Sequence, residues 1–160
     1  MIIGTTGHRK IAGFSEGSVL FKNIEKAIEN TFTELRPEKV ITGMALGIDT
    51  LVAETCLQMD IPFHAMCPFK GQELYWSKSD QNHYYDLLSY ADTITYTSPY
   101  GFAAWKYQVR NERIVDGCDL LVAVYCDGLG GGTKNCLDYA QEKKKRIIVI
   151  DPAASDWKKE

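Results

Sequence analysis

The sequence predicts an α/β fold in which a doubly wound, mainly parallel sheet of about six strands carries helices on both faces. Short apolar runs alternate along the chain with longer stretches whose apolar residues recur at helical spacing. This alternation favours a parallel sheet over an antiparallel α+β arrangement. A length of 160 residues with 45% hydrophobic content also suits one globular domain with a sizeable core.

The first half of the chain supplies three predicted strands and two predicted helices. Apolar residues recur at helical spacing from Leu20 to Leu35 and stop before Pro37, as expected of an amphipathic helix that covers one sheet face. The second helix carries apolar residues between Leu51 and Met59. The three strands are predicted over residues 1–6, 39–42 and 62–67.

The second half continues the same alternation. Helices are predicted over about residues 79–88, 103–115 and 135–144, and strands over residues 93–96, 120–125 and 146–150. The whole chain is therefore expected to hold about six strands and five helices. We expect one domain over residues 1–151, followed by a C-terminal tail over residues 152–160.

Composition narrows the classes of function. A net charge of −3 gives no strong field that would attract nucleic acid, so nucleic acid is disfavoured as a partner. No stretch approaches about 18 apolar residues and no signal-peptide pattern is present, so we expect a cytoplasmic protein without a membrane partner. The five cysteines form no C-x-x-C pair and are interpreted as reduced core or boundary residues: Cys56, Cys67, Cys118, Cys126 and Cys136.

Three glycine-bearing loops follow predicted strands. Gly7 follows the first strand, and Gly43 and Gly47 follow the second. Because ligands collect beyond the carboxyl ends of parallel strands, we expect these loops to converge on one crevice. A helix is predicted directly after the third loop, and the free amides of a helix start favour phosphate. The third loop contains Gly130, Gly131, Gly132 and Thr133.

Alternatives remain for two of these loops. Gly43 and Gly47 allow close approach of the backbone to a phosphate, with Asp49 accepting from a ribose hydroxyl or bracing the loop; alternatively, Asp49 is a helix-start carboxylate favoured by the helix dipole. The third loop either donates its amides and the threonine hydroxyl to phosphate or only makes a tight turn. The helix predicted after it favours phosphate binding.

Basic side chains supply candidate phosphate ligands. Arg9 follows the first strand, and a guanidinium binds phosphate oxygens in a two-pronged way, although an exposed solvated arginine is the alternative. His8 is assigned to binding and not to catalysis, because no Ser or Cys partner is spaced to it. Three further candidates lie later in the chain: Arg110, Asn111 and Lys134. The alternative for Arg110 and Asn111 is that they point outward and belong to a solvated basic face with Arg113.

Aromatic residues supply a candidate base platform. Phe69, Tyr75 and Trp76 follow the third strand, where they either stack on a purine or nicotinamide-like ring or serve as core or interface residues. Tyr100, Phe102 and Trp105 form a second aromatic patch. This patch is equally suited to a homodimer contact, and we expect a homo-oligomer.

Five short motifs occur in an order that resembles the motif set of the SLOG superfamily, which unites the DNA-processing protein Smf/DprA with the LOG nucleotide hydrolases. The resemblance is closest to the small YpsA-like branch. It implies a Rossmann-like fold with a nucleotide or nucleotide-derived ligand bound across the strand ends by these motif residues. In chain order, the motifs are Thr6-Gly7-His8-Arg9, Thr42-Gly43-Met44-Ala45-Leu46-Gly47-Ile48-Asp49, Pro68-Phe69, Arg110-Asn111 and Gly130-Gly131-Gly132-Thr133.

No catalytic residue can be assigned. LOG-type hydrolases carry a P-G-G-x-G-T-x-x-E signature, and Cys136 occupies the position of its glutamate. Cysteine does not replace a carboxylate in stabilising charge at the sugar or activating water. Asp49, Glu73 or Asp127 is a possible substitute. No metal site is predicted because His8, His64 and His83 are dispersed: no His, Cys or carboxylate spacing repeats at helical intervals.

The resulting hypothesis is a protein that binds a nucleotide, related to ADP-ribose or NAD, as a sensor or a sequestering protein. No cofactor is expected. One alternative is a LOG-like nucleotide N-glycosidase, a phosphoribohydrolase that would release a free base. A second alternative is DprA-like nucleic-acid binding, which would require a basic face and strongly salt-dependent affinity.

Overall fold

The structure is a computed structural model that describes residues 1–126 and 131–152, together with the backbone of residues 158 and 159. Strands and helices alternate along these residues up to the last strand. In chain order they are β1 (Ile2–Gly7), α1 (Val19–Leu35), β2 (Lys39–Thr42), α2 (Ile48–Gln58), β3 (Phe63–Cys67), α3 (Lys78–Ser89), β4 (Thr93–Tyr96), α4 (Trp105–Gly117), β5 (Leu120–Val124), α5 (Gly131–Glu142), β6 (Arg146–Ile150) and β7 (Lys158–Lys159).

The strands form one sheet in the order β4-β3-β2-β1-β5-β6-β7. Strands β1 to β6 are all parallel, and the two-residue β7 pairs antiparallel with β6. The chain builds outward from β1 to β4 and then returns to place β5 on the other side of β1. The last residues of these two central strands, Gly7 and Val124, are register partners. This is the point at which an open α/β sheet forms a ligand crevice.

Helices cover both faces of the sheet, which confirms the doubly wound α/β architecture. On one face, α1, α2 and α3 pack Ile24, Leu51 and Leu87 into a core that includes Ile3 and Val40. On the other face, α4 and α5 contribute a second core with the opposite sides of the same strands. Its buried members include Ile114, Val115, Leu137 and Ala140. Alternate strand residues therefore face two separate apolar layers.

Local capping explains where two of the helices begin. The hydroxyl of Ser18 accepts from the backbone N–H of Phe21 at 3.1 Å, so α1 starts directly after Ser18. The hydroxyl of Ser77 accepts from the N–H of Asp80 at 3.1 Å and starts α3 in the same way. Each serine satisfies one of the amides that the first turn leaves without an intrahelical partner.

The structure corrects the predicted start of the last long helix. Helix α5 begins at Gly131 and not near Asn135, so two glycines and Thr133 form its first turn. Glycine has a low helix propensity, and for that reason these residues were predicted to form a loop. Gly131 has a φ of 73°, a conformation that glycine adopts without strain. Strand β7 was not predicted.

Among the described residues, no helix is long and apolar enough to cross a membrane.

Candidate functional site

A crevice of about 600 Å³ opens where β1 and β5 end, and we call it the switch-point crevice. Its walls come from the end of β1 and the following loop, the start of α2, helix α4 with the loop before it, and the first turn of α5. The structure brings eleven of the predicted site residues to these walls. They are Thr6, Gly7, His8, Arg9, Ala45, Asp49, Arg110, Asn111, Gly131, Gly132 and Thr133.

The first turn of α5 forms one wall. The backbone amides of a first turn have no intrahelical acceptor, and they carry the partial positive charge of the helix dipole. The nearest atom to a Cβ built on Gly132 is Asn111 Nδ2 at 3.9 Å, so the space beside this glycine is open. The same Nδ2 donates to the carbonyl oxygen of Gly132 at 3.2 Å, which ties α4 to α5. The predicted residue Gly130 lies outside the described residues.

Arg110 is a buried cation beneath the crevice, with only 5% of its surface exposed. Its Nη1 donates to the carbonyl oxygen of Gly43 at 2.6 Å, and its Nε donates to Asn111 Oδ1 at 2.9 Å. A Cβ built on Gly43 would overlap the guanidinium and lie 2.9 Å from Asp49 Oδ2. The missing side chain of Gly43 therefore makes room for Arg110, while Gly43 itself is not a wall of the crevice.

Asp49 is the carboxylate beside this cation, and its Oδ2 accepts from the N–H of Ala45 at 3.1 Å. Burial raises the pKa of Asp49, while Arg110, the Ala45 amide and Arg9 oppose the shift. Burial also lowers the pKa of Arg110, against the attraction of Asp49. Arg110 remains a cation because a guanidinium keeps its proton in proteins. Asp49 is thus a helix-start carboxylate and a wall of the crevice at once.

Arg9 is exposed and lies over an aromatic ring. Its Cζ is 4.5 Å from the centroid of the Tyr107 ring. Tyr107 in turn contacts Phe69 edge-on, with ring centroids 5.6 Å apart. Phe69 was predicted either to stack on a base or to serve as a core or interface residue. It is only 2% exposed and packs against Tyr107. Tyr107 was not among the predicted site residues, because nothing in the helical pattern distinguishes it from a surface tyrosine.

Lys106 organises the loop that carries Phe102 into the crevice wall. Its ammonium donates to the carbonyl oxygens of Pro99 at 2.8 Å and Gly101 at 2.6 Å. The side chain is buried, and its charge also lies 5.5 Å from the ring centroid of Phe69. Lys106 was not among the predicted site residues either. The available signal was a basic residue one position into a helix, just after a Gly-containing aromatic segment.

His8 uses one ring nitrogen within the fold. The backbone N–H of Cys126 donates to His8 Nε2 at 3.1 Å, which occupies the lone pair that a second proton would need. Burial lowers the pKa of His8 from its ordinary value. The ring is therefore held neutral and lies 5.3 Å from the Tyr125 ring, between centroids.

The remaining predicted residues lie elsewhere. Leu46, Gly47 and Trp76 line a second cavity of about 530 Å³ on the α1–α3 side of the sheet. Tyr75 is 94% exposed, and Lys134 pairs with Asp138 on the surface of α5 at 2.9 Å. Pro68, Tyr75 and Lys134 line neither cavity.

Asp49 is the one carboxylate among the described residues that line the switch-point crevice. Glu73 is buried away from it and accepts from the Tyr85 hydroxyl at 3.0 Å. Cys136 is 0% exposed, and burial raises the pKa of its thiol to about 12. Asp127 lies outside the described residues. Within the described part of the chain, no group of three or more His, Cys, Asp or Glu side chains is placed to hold a metal.

Comparison with protein families gives a match over residues 3–153 to the model of YpsA, described as the YspA SLOG family. A curated relative is the uncharacterized SPbeta prophage-derived protein YoqJ of Bacillus subtilis strain 168. It is 34% identical over 132 residues, which cover 72% of this chain and 76% of YoqJ.

Two solved structures share the fold. DNA processing protein A from Streptococcus pneumoniae superposes with a TM-score of 0.68 and 19% identity, covering 92% of this chain and 49% of that chain. The chain thus spans about half the length of that protein. The molybdenum cofactor binding protein from Rippkaea orientalis superposes with a TM-score of 0.59 and 17% identity, covering 94% of this chain and 76% of that chain.

Proposed function

The chain belongs to the YspA SLOG family, and on that premise we propose that it binds a nucleotide in the switch-point crevice, as a sensor or a sequestering protein. The ligand we propose is related to NAD or ADP-ribose. The observation that carries the proposal is the meeting of two arginines, Arg9 and Arg110, with the first turn of α5 in one crevice.

These groups suit a phosphate. Arg9 is exposed, so its guanidinium is free to pair with phosphate oxygens. The two hydrogen bonds of Arg110 use Nε and Nη1, and Nη2 bonds to none of the described residues. The amides at the start of α5 add uncharged donors and a favourable dipole. An anion in the crevice would also relieve the repulsion that Arg9 exerts on Arg110.

The remainder of the crevice suits the nucleoside part. A volume of about 600 Å³ lies within the range of small-molecule sites. Tyr107 and Phe102 line the crevice, and Phe102 is 70% exposed. An exposed aromatic face next to a phosphate site is suited to stacking on a base.

The first test is calorimetric titration of the protein with AMP, NAD, ADP-ribose and cyclic ADP-ribose. Gly132→Asp fits the open space beside Gly132 and places a carboxylate where the helix dipole favours it, so folding should be kept. Its charge repels phosphate, and we expect the affinity to fall at least about tenfold, or ~1.4 kcal/mol. Gly132→Asn is the neutral control of the same shape. Equal affinity in the wild type and both variants would remove the phosphate assignment.

The arginine arm of the test uses two residues of the same type. Arg9→Ala is expected to weaken nucleotide binding by about tenfold, because a charge-assisted hydrogen bond to phosphate is lost. Arg113→Ala removes an exposed arginine of α4 that does not line the crevice, and it should leave affinity unchanged. If both variants weaken binding alike, only the net charge of the protein matters.

A nucleotide N-glycosidase is the second candidate. Asp49 favours it, because a crevice carboxylate with a raised pKa is suited to acid–base chemistry. Mass spectrometry of AMP incubated with the protein distinguishes the two functions. An unchanged nucleotide supports the binder, whereas free adenine and ribose phosphate that disappear in Asp49→Asn support the hydrolase.

Nucleic-acid binding is the third candidate, because the fold is shared with DNA processing protein A. The net charge of −3 does not favour it. Titration with single-stranded DNA at two salt concentrations tests it, since phosphate-backbone binding weakens steeply with salt. The homo-oligomer also remains a proposal, supported by the exposed rings of Tyr100, Phe102 and Trp105, and light scattering measures it.

A further inference from the structure

We propose that Gln108 accepts a hydrogen bond from a ribose hydroxyl of the ligand and thereby makes the switch-point crevice selective for ribonucleotides over deoxyribonucleotides. The inference rests on the proposed function, because it requires a nucleotide in the crevice. It adds a specificity-determining residue that the sequence motifs do not contain.

The starting point is an unpaired oxygen. Oε1 of Gln108 is buried and has no hydrogen-bond partner, and it is the one such side-chain atom among the described residues. Gln108 lines the switch-point crevice on α4. A buried acceptor without a donor costs stability, so folded proteins rarely keep one that has no use. Its place in the crevice indicates that the missing donor belongs to a ligand.

No donor among the described residues bonds to Oε1 of Gln108. Arg110 directs Nε to Asn111 Oδ1 and Nη1 to the carbonyl oxygen of Gly43. The Nδ2 of Asn111 bonds to the carbonyl oxygen of Gly132. The described crevice side chains of this helix therefore supply Gln108 with no hydrogen bond. A phosphate cannot supply it either, because an ionised phosphate has acceptors and no donor.

Position along α4 selects the sugar. Gln108 and Asn111 are three residues apart and lie on the same face of the helix. Asn111 contacts the first turn of α5, the proposed phosphate wall, and Gln108 lies roughly one turn away, about 5 Å along the axis. The ribose is the group bonded to a nucleotide phosphate, and its hydroxyls are donors. We therefore assign the missing donor to a ribose hydroxyl and not to the base.

The charge of the side chain agrees with this assignment. A carboxylate at position 108 would accept the same hydrogen bond but would repel the phosphate held nearby. The amide of Gln108 accepts without adding negative charge. The crevice thus combines cationic groups for the phosphate with a neutral acceptor for the neutral hydroxyl.

The experiment compares AMP, 2′-deoxy-AMP and 3′-deoxy-AMP by calorimetry on the wild type, Gln108→Leu and the control Gln141→Leu. Gln141 is exposed on α5 and lines neither cavity, so it carries the same substitution away from the crevice. We expect the wild type to bind AMP about tenfold more tightly than one of the deoxy ligands. In Gln108→Leu, AMP should weaken to the level of that deoxy ligand, whose own affinity stays unchanged.

A second readout needs no ligand. Removing an unpaired buried acceptor should raise the Tm of ligand-free Gln108→Leu by about 2–4 °C. A higher Tm together with weaker AMP binding marks a residue kept for recognition. A lower Tm with equal weakening of AMP and both deoxy ligands would mark a purely structural residue and overturn the proposal.

The outcomes separate this proposal from the proposed function. If the wild type binds all three ligands with equal affinity, nucleotide binding stands and the role of Gln108 falls. If it binds none of them, the AMP-binding function and the role of Gln108 fall together. An IMP titration tests the base: if the 6-amino group of AMP, and not a hydroxyl, accounts for the effect of Gln108→Leu, the assignment to the sugar is wrong.

Discussion

Arg110 and Gly43 are 67 residues apart in the sequence, and the guanidinium of one donates to the backbone carbonyl of the other at 2.6 Å. The contact joins α4, on one face of the sheet, to the loop that leads into α2, on the other face. It places a buried cation under the crevice and holds the loop before α2 against α4. The absence of a side chain at Gly43 makes the contact possible.

Gly43→Ala is expected to destabilise the protein by about 1–3 kcal/mol, because the new methyl group overlaps the Arg110 guanidinium and crowds Asp49. Urea unfolding measures the change. Gly117→Ala is the matched control, since a Cβ there meets only Ile41 Cδ1 at an ordinary 3.5 Å at the end of α4. The steric account would be wrong if the two alanines had the same effect.

Asp49→Asn is expected to change the pH dependence of stability. Burial raises the folded-state pKa of Asp49 above its ordinary value of 3.8, so the folded chain holds this proton more tightly than the unfolded chain. The resulting stabilisation is complete below about pH 3.8 and is lost as pH rises through the folded pKa. The variant keeps an acceptor for the Ala45 amide but has no proton to lose.

Urea unfolding from about pH 3.5 to 7 measures this difference. We expect the unfolding free energy of Asp49→Asn, relative to the wild type, to increase as the pH rises across that window. Asp86→Asn, at an exposed position on α3, is the matched control for the loss of one carboxylate. A constant difference between Asp49→Asn and the wild type would contradict the raised pKa.

Tyr107→Leu is expected to weaken nucleotide binding by a few-fold, because Arg9 loses the ring that holds its guanidinium over the crevice. Calorimetry on the single variants and on Arg9→Ala/Tyr107→Leu measures the coupling, and we expect the double variant to lose less than the sum of the singles. Tyr139→Leu removes a similar ring beneath Lys143, at 5.4 Å, outside the crevice. Equal losses in Tyr107→Leu and Tyr139→Leu would exclude a local effect.

Lys106→Met is expected to loosen the loop between β4 and α4 and to lower the unfolding free energy by about 1–3 kcal/mol. The methionine keeps apolar contact with Phe69 but leaves the carbonyl oxygens of Pro99 and Gly101 without their donor. Hydrogen exchange over residues 98–104 reports the loosening. Lys143→Met, which changes an exposed lysine just after the end of α5, should leave exchange in this loop as it is.

The sequence predicted the fold well because its signals are local. The alternation of apolar runs and helical periods gives β1 to β6 and the five helices within a few residues, apart from the start of α5. The same logic predicted that the loops after parallel strands meet. Gly7 and Gly132 line one crevice, whereas the second loop reaches it through Asp49 and not through Gly47. A glycine-rich segment, however, has the same composition whether it precedes a helix or forms its first turn.

The aromatic residues show what local signals cannot predict. Trp76 and Phe69 both follow β3, yet Trp76 lines the second cavity and Phe69 is buried under Tyr107. Their positions depend on where α3 packs and on the hydrogen bonds from Lys106 to the loop between β4 and α4. These are tertiary contacts between distant segments, and no spacing rule encodes them. Gln108 was missed for the same reason, since an unpaired oxygen is visible only once its neighbours are placed.

The two edges of the sheet differ in what they offer to another polypeptide. Within the described residues, β7 pairs with β6 at one edge, while β4 at the other edge carries exposed Ile94 and Tyr96 and has an unpaired outer side. Strand β4 lies three strand spacings, about 14 Å, from β1, so strand addition at its outer side would leave the crevice open in each copy. Association through Phe102 would instead cover a crevice wall, so the geometry of assembly decides whether nucleotide and partner compete.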